Sequence, residues 1–303
     1  MDASMTEHNK ELPVALVHEA RLRLFQPTRR PSSNEIKESI KTSAGLVTIE
    51  HRAVMRGGRV IARPLGQAHA DLLDAMRSSA LASAHDGAGR LVMLIDPARA
   101  RRAGGFKCSL SAVRELANDL IGATIEIHEP MKLKIRGHLI DTLREAVDTS
   151  GKVIELDNPL QRAGFSKTRN LWAVTVGDVG MMLLRRDLRV NYELRQIVAL
   201  QSGMAQAVAR WLLGQSRDRQ PNGGWRLDTV IQAIAGDLRD AALRNARRDI
   251  RRASDDLSKL GIIVEDDRVS LEANAKRVAN ARGRVANARG RVANAREIGE
   301  ACS

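Results

Sequence analysis

Aromatic side chains, cysteines and long apolar runs are all scarce in this chain of 303 residues. Phe, Trp and Tyr make up 2% of it, which leaves few platforms for stacking unpaired bases and disfavours single-strand recognition. Cys108 and Cys302 are too few for a disulfide framework or a cysteine-based zinc site. No apolar run is long enough to span a membrane, and the N-terminus lacks a signal-peptide pattern. We therefore expect a cytoplasmic bacterial protein that has no membrane partner.

Motifs for enzymatic chemistry are missing as well. The sequence contains no GxxxxGK[ST], no GxGxxG after a predicted strand and no HExxH. Its seven histidines are scattered, without a pair at ligand spacing on one predicted helix. The one tyrosine, Tyr192, opens an apolar helix, where a core role is favoured over a nucleophilic one. We predict that the protein is not an enzyme and needs neither a cofactor nor a metal.

Positive charge is what the chain has in excess. Lys and Arg number 49 against 36 Asp and Glu, which gives a net charge of +13. Such a surplus favours a polyanionic partner, although it says nothing about the fold. Together with the scarcity of aromatic residues, it favours double-stranded DNA over RNA or single strands.

The strongest local pattern lies between residues 237 and 271. The spacing of its apolar residues predicts a helix with an apolar stripe on one side and a row of arginines on the opposite side. Asp237 is the predicted N-cap of this helix, and Gly261 lies just beyond its C-terminus. The following IIVEDDRVSL is hairpin-like around Asp266-Asp267. An arginine helix followed by a hairpin is typical of the recognition helix and wing of a winged-helix domain. The predicted DNA-contacting residues here are Arg244, Arg247, Arg248, Arg251 and Arg252 on the helix and Arg268 in the hairpin.

A solvated surface helix with pairs such as Asp240–Arg244 is the alternative interpretation of this segment. Residues 239–252 hold six arginines and only two aspartates, and this surplus favours DNA contact. On the helical wheel, Arg247 and Arg251 are placed best for bidentate guanine contacts. The other arginines of the helix are expected to meet phosphates.

An earlier segment, from residue 63 to 188, has a similar order of strand, short helix, glycine turn, second helix and strand. Asp96-Pro97 and Ser109 are helix-start signals, GHLIDTLREAVDTSG is predicted as a helix, and KVIELDNP as a strand. LWAVTVGDVGMMLL is predicted as a β-hairpin wing that could also pair between two copies of the chain. DNA contact and protein–protein contact are equally supported for this unit. Its candidate DNA-binding residues are Arg99, Arg101 and Arg102 for the backbone, with Arg114 and Asn118 on the second helix.

Composition divides the chain into four parts. They are an N-terminal extension with a basic hairpin (1–62), a first winged-helix domain (63–188), a second one (189–271) and a repetitive basic tail (272–303). The predicted class is α+β, mainly α with small β-hairpins, in two tandem winged-helix domains. The hairpin around Gly57-Gly58 is interpreted as a solvated edge in preference to a DNA-backbone contact. The tail repeats RVANARG, RVANARG, RVANARE, which favours a disordered basic segment over a weak coiled coil.

The tandem order resembles the plasmid replication initiators of the RepA/RepE/TrfA type, over roughly residues 64–271. The most family-like portion is YELRQIVALQSGMAQAVARWLL, then a loop, then WRLDTVIQAIAGDLRDAALRNARRDIRRASDDLSKLGIIV. A tryptophan, Trp211, stands where that family has a tyrosine before the double leucine. The resemblance implies binding to direct repeats at an origin, strand opening with the host initiator and helicase, and a monomer–dimer switch in which dimers repress their own gene. A transcription or partition regulator that occupies an operator is the main alternative, and a nucleoid-binding protein is a third.

Overall fold

A computed structural model describes residues 12, 15–31, 33–42, 45–128, 134–146, 171–185, 188–190, 192–215, 219–272 and 279–280. These residues form a mixed arrangement of helices and antiparallel sheets around two large hydrophobic clusters. The predicted α+β class is confirmed, but the first unit contains two four-stranded sheets where only small β-hairpins were expected. The tail repeat, apart from its residues 279 and 280, lies outside the described residues, as do KVIELDNP and the basic stretch LQRAGFSKTRN.

The first half of the chain alternates short strands with four helices. Its strands are β1 (Ala15–Leu16), β2 (Lys37–Thr42), β3 (Gly45–Glu50), β4 (Arg52–Arg56), β5 (Arg59–Arg63), β6 (Ala82–His85), β7 (Leu91–Ile95) and β8 (Thr124–His128). Its helices are α1 (Val17–Arg21), α2 (Gln67–Ser79), α3 (Pro97–Ala103) and α4 (Leu110–Gly122).

The second half is richer in helix. Its strands are β9 (Lys134–Gly137), β10 (Ile140–Ala146), β11 (Leu171–Val176), β12 (Leu188–Val190), β13 (Trp225–Arg226), β14 (Ile262–Glu265), β15 (Arg268–Leu271) and β16 (Ala279–Asn280). Its helices are α5 (Asp178–Arg185), α6 (Leu194–Ala199), α7 (Gly203–Leu213), α8 (Leu227–Ala235), α9 (Asp240–Arg252) and α10 (Ser254–Ser258).

The first hydrophobic cluster lies between two four-stranded sheets and the helices α2 and α4. One sheet has the order β2-β3-β8-β9 and the other β10-β11-β7-β6, with every pairing antiparallel. All five residues of β7 are buried, as expected for a strand covered on both faces. Residues 22–49 also supply side chains to this cluster, among them Leu24, Val47 and Ile49. The boundaries proposed at residues 62, 188 and 271 stay predictions.

Two predictions for the first unit are wrong. The segment predicted as a helix within GHLIDTLREAVDTSG forms β10, because β11 supplies antiparallel partners for its backbone. LWAVTVGDVGMMLL is not a hairpin: it is the strand β11 followed by the helix α5. A Cβ on Gly177 or Gly180 would lie 2.4 or 2.5 Å from the carbonyl oxygen of His138 or Leu139, so these glycines permit close backbone packing.

The correction to β11 removes the edge that was predicted for self-association. β11 lies between β10 and β7, so its backbone groups on both sides are already paired within the sheet. An interior strand cannot add a strand from a second copy of the chain. Strand pairing between two copies through β11 is therefore excluded.

The second hydrophobic cluster is built by α6 to α10 and a three-stranded sheet of order β13-β15-β14. Ile197, Leu212, Ile231 and Ile250 are fully buried in it, one from each of the four helices α6 to α9. Tyr192 is buried at its margin, which confirms the predicted core role of that residue.

Candidate nucleic-acid interface

The arginine helix α9 is held by a sharp turn from α8. Gly236, between them, has a φ of 76°, a conformation that an L side chain rarely adopts. The Arg23 guanidinium donates from Nε to the Ile234 carbonyl at 3.1 Å, so one of the carbonyl groups at the C-terminal end of α8 has a hydrogen-bond partner. On α9 itself, Ala246 and Ile250 are buried against the second cluster. This packing turns the opposite face of α9 outward.

Two details of the predicted helix are wrong. Asp237 does not cap α9, which begins after Arg239 without a side-chain cap. The Asp237 carboxylate instead accepts a hydrogen bond from the Gln232 side-chain amide at 2.7 Å. The helix also ends at Arg252, and α10 begins anew at Ser254. Neither change moves an arginine from the outward face.

Five predicted DNA-contacting arginines line one shallow surface groove along α9. They are Arg244, Arg247, Arg248, Arg251 and Arg252. All but Arg247 are exposed. We call this surface the arginine groove. Its charges lie on one helix at spacings of three and four residues, which brings them to the same side.

The arginines of the groove differ in what they contact. Arg247 forms a two-pronged ion pair with Asp228 of α8, with its Nε 2.7 Å from Oδ1. Arg251 donates from Nε and Nη2 to the Asp266 carbonyl, at 3.1 and 2.9 Å. Arg244 and Arg252 have no ion-pair or hydrogen-bond partner in the part of the chain that the structure describes. Among the same residues, Arg248 reaches only Asp249, at 3.9 Å.

The pair between Arg247 and Asp228 holds both groups in their charged forms. The hydrogen bonds from Arg247 lower the pKa of the Asp228 carboxyl, and those same bonds raise the pKa of the Arg247 guanidinium. Both side chains lie at the surface, where such pairs contribute little to stability. The pair therefore restrains Arg247 but leaves it able to exchange partners.

The hairpin β14–β15 stands beside the arginine groove. Its turn is formed by Asp266 and Asp267, and Asp266 adopts a φ of 46°. Arg251 binds the carbonyl of that turn and so ties α9 to the hairpin. Arg268 donates from Nη1 to the carbonyls of Gly223 and Gly224, at 3.3 and 3.2 Å. The predicted hairpin is confirmed, and β13 pairs with its second strand.

The candidate residues of the first unit sit on α3 and α4. Arg99 and Arg102 are exposed, and neither has a partner within the described residues. Arg101 donates to the Cys108 carbonyl at 3.3 Å. On α4 both candidates are engaged: Arg114 pairs with Glu145, and Asn118 donates to Glu115 at 3.2 Å. Among these five candidates, the cations without a partner in the described residues therefore lie on α3, away from the second helix that was expected to reach bases.

Asp228 is the member of this surface that the sequence did not indicate. It lies in the first turn of α8, after an N-cap at Arg226. It pairs with an arginine 19 positions away on another helix, and no periodic pattern within one element relates the two.

Comparisons with known proteins give one distant likeness. No family model matches the sequence, and no curated protein matches it. The crystal structure of RctB domains 2-3 aligns with 81% of this chain and 91% of that chain, at 15% identity and a TM-score of 0.45. A likeness this distant assigns neither a family nor a function. Across the described residues, no helix is both long and apolar enough to cross a membrane, and no three metal-ligating side chains cluster.

Replacing Asp228 with asparagine should strengthen DNA binding about five- to tenfold at roughly 0.1 M salt. The change removes a negative charge beside the groove and frees Arg247, and one added phosphate contact contributes about 0.9 to the salt slope. Fluorescence anisotropy with a labelled mixed-sequence duplex measures it. Asp256→Asn, which breaks a comparable exposed pair with Lys259, is the control. Unchanged or weaker binding by Asp228→Asn would show that Arg247 acts while paired.

Proposed function

We propose that the chain is a double-stranded DNA-binding protein that initiates replication at repeated origin sites. The arginine groove carries this proposal. It presents five cations on one helix, of which Arg244 and Arg252 meet no counter-charge within the described residues. A row of guanidinium groups on an exposed helix face suits a duplex, whose phosphates are regularly spaced and whose major groove admits a helix.

The order of elements supports a winged-helix role for the second unit. The helix α7 is followed by β13, α8, α9 and the hairpin β14–β15, with the sheet order β13-β15-β14. In that arrangement α9 is the recognition helix and the hairpin is its wing. The bond from Arg251 to the turn of the hairpin fixes the angle between them.

The first unit takes a supporting part in this proposal. Arg99 and Arg102 on α3 meet the DNA backbone, while the paired Arg114 and Asn118 of α4 contribute less to base recognition. In this unit the strand before α3 and the strand after α4 belong to different sheets. Its resemblance to a winged helix therefore rests on the order of elements alone.

The replication role rests on the resemblance to plasmid initiators of the RepA/RepE/TrfA type. Within the proposal, the protein is a bacterial, non-enzymatic initiator that binds direct repeats, opens the origin with the host initiator and helicase, and controls plasmid copy number. Self-association and repression of its own gene belong to the same proposal. A transcription or partition regulator would use the same groove on a different arrangement of sites.

A footprint of the purified protein on the DNA that flanks its gene tests this function. We expect several protected direct repeats whose centres are separated by a whole number of helical turns, about 10–10.5 base pairs each. At that spacing the bound copies lie on the same side of the duplex. A single protected inverted repeat at the promoter would identify a regulator instead. Uniform protection without preferred sites would identify a nucleoid-binding protein, and no protection would refute DNA binding.

A further inference from the structure

The hairpin β4–β5 is a basic ribbon that belongs to neither large sheet. Its two strands pair with each other, and the one further β-bridge that they form among the described residues joins Ala62 near the base to Ser33. Residues 52–63 read RAVMRGGRVIAR, with four arginines and no acidic residue. An isolated two-stranded ribbon is marginally stable by itself, so its position depends on how its base is attached.

The base of the ribbon is fixed firmly to α4. Arg52 and Arg63, opposite each other in the register, both bind the buried carboxylate of Asp119, at 3.1 and 2.9 Å. Burial acts to raise the pKa of Asp119, but hydrogen bonds and charges from His69 and Arg63 together outweigh it and lower that pKa. The carboxylate therefore remains an anion between the two arginines. Gly122 at the end of α4 lets Arg52 pack closely, since a Cβ there would lie 2.9 Å from its side chain.

The tip carries two more arginines that have no such anion. Gly57 and Gly58 adopt φ values of 58° and 75°, as a tight two-residue turn of this kind requires. Arg56 and Arg59 therefore stand directly opposite each other on the same face. Both are exposed, and neither has a partner in the described parts of the chain. Like charges in this position destabilise a ribbon, and a polyanion would remove the repulsion.

The other face of the tip is apolar and unprotected. Met55 and Val60 also stand opposite each other, and they are 68% and 51% exposed. Strand alternation places this pair on the face away from Arg56 and Arg59. The tip thus combines two cations with an apolar wedge.

We propose that the tip of the β4–β5 hairpin inserts into the minor groove of bound duplex DNA and bends it. Arg56 and Arg59 contact the phosphates that flank the groove, while Met55 and Val60 press against the base step beneath. Side chains of this kind, apolar wedges flanked by arginine, bend duplexes in minor-groove complexes. The bonds of Arg52 and Arg63 to Asp119 hold the base of the hairpin against α4 and so determine where the tip lies relative to that helix. This inference rests on the proposed DNA-binding function and adds a second contact to it.

Energy transfer between dyes at the two ends of a mixed-sequence duplex of about 30 base pairs, roughly three turns, tests the inference. At saturating full-length protein we expect higher transfer than in free DNA. Met55→Ala/Val60→Ala should return the transfer to the free-DNA value at saturation. Arg56→Ala/Arg59→Ala should lower the salt slope of binding by about 1.8, because each phosphate contact contributes about 0.9.

Two further variants separate the hairpin from the arginine groove. Lys37→Ala/Lys41→Ala removes two exposed cations of β2 and should leave bending and slope near the wild-type values. Arg244→Ala/Arg252→Ala should weaken binding through α9. If the hairpin variants bend and bind DNA like wild type while the α9 variant is impaired, the inference fails and the proposed function stands. If all variants match wild type, or the wild-type protein does not bind the duplex, both fail.

Discussion

Replacing Arg210 with methionine should lower the free energy of unfolding by about 3–5 kcal/mol, because two buried aspartates would lose the cation that they share. The Arg210 side chain is 9% exposed and binds both Asp71 and Asp74, at 2.8 and 2.9 Å. Methionine fills much of the same volume, so the loss measures the charge interactions more than a cavity. Chemical denaturation followed by circular dichroism gives the value.

The expected size follows from how completely this network is buried. Asp74 also accepts from Arg77 at 3.0 Å and from the Tyr192 hydroxyl at 2.6 Å. Burial and the nearby charge of Asp74 raise the pKa of Tyr192 well above its ordinary value, so the hydroxyl remains a donor. Arg77 extends the network to Glu19, at 2.9 Å. The hydrogen-bond partners of Arg210 among the described residues, Gln67, Asp71 and Asp74, are thus polar or charged groups removed from water.

Two further variants distinguish charge from general damage. Arg210→Lys keeps a cation but loses the planar fork that spans both aspartates, so its effect should lie between those of wild type and Arg210→Met. Arg195→Met changes an exposed arginine of α6 and should stay within about 0.5 kcal/mol of wild type. A loss below about 1 kcal/mol for Arg210→Met would show that water enters and solvates the aspartates.

The network also joins the two hydrophobic clusters. Asp71 and Asp74 lie on α2 beside the first cluster, and Arg210 lies on α7 in the second, 136 or more positions along the chain. A sequence pattern cannot reveal such a pair, because nothing within either helix requires the distant partner. On α2 the two aspartates lie on the side of the helix opposite Leu72, Leu73 and Met76. That placement by itself suggests only a solvated helix face.

Features that depend on near neighbours were predictable. Asp96 accepts from the backbone of Ala98 and Arg99, and Ser109 accepts from Ala112, as their cap patterns indicated. The hairpins at Gly57-Gly58 and Asp266-Asp267 follow from turn chemistry of the same short range. Gly177 was different: it resembles a turn residue, but what it requires is the approach of His138 from 39 positions earlier.

In the candidate site, too, local features were predictable from the sequence and contacts between distant residues were not. The arginines of α9 share a face because helical spacing places them there, and this was visible in the sequence. The ion pair of Arg247 with Asp228 and the bond of Arg251 to Asp266 were not visible. Those two arginines were expected to bind guanine, and in the free protein they are held by intramolecular contacts. The freest cations are the ones expected to meet phosphates.

Removing those cations together should have the largest effect on DNA binding. Arg244→Ala/Arg248→Ala/Arg252→Ala should weaken binding to a mixed-sequence duplex roughly a hundredfold at about 0.15 M salt, and the salt slope should fall by about 2.7. Both values follow from three lost phosphate contacts at about 0.9 each. Alanine favours a helix at least as well as arginine, so α9 should remain folded. Anisotropy titrations at several salt concentrations supply both numbers.

The matched control is Lys37→Ala/Lys41→Ala/Arg195→Ala, which removes three exposed cations from β2 and α6. Loss of net charge alone weakens binding equally in the two triple variants, whereas contact through the groove weakens only the α9 variant. An equal and small effect in both would mean that the chain attracts DNA by its overall charge. A steep loss confined to α9, with the unfolding transition unchanged, requires that the phosphates lie along that helix, because screened charges more than about 10 Å from DNA contribute little at this salt concentration.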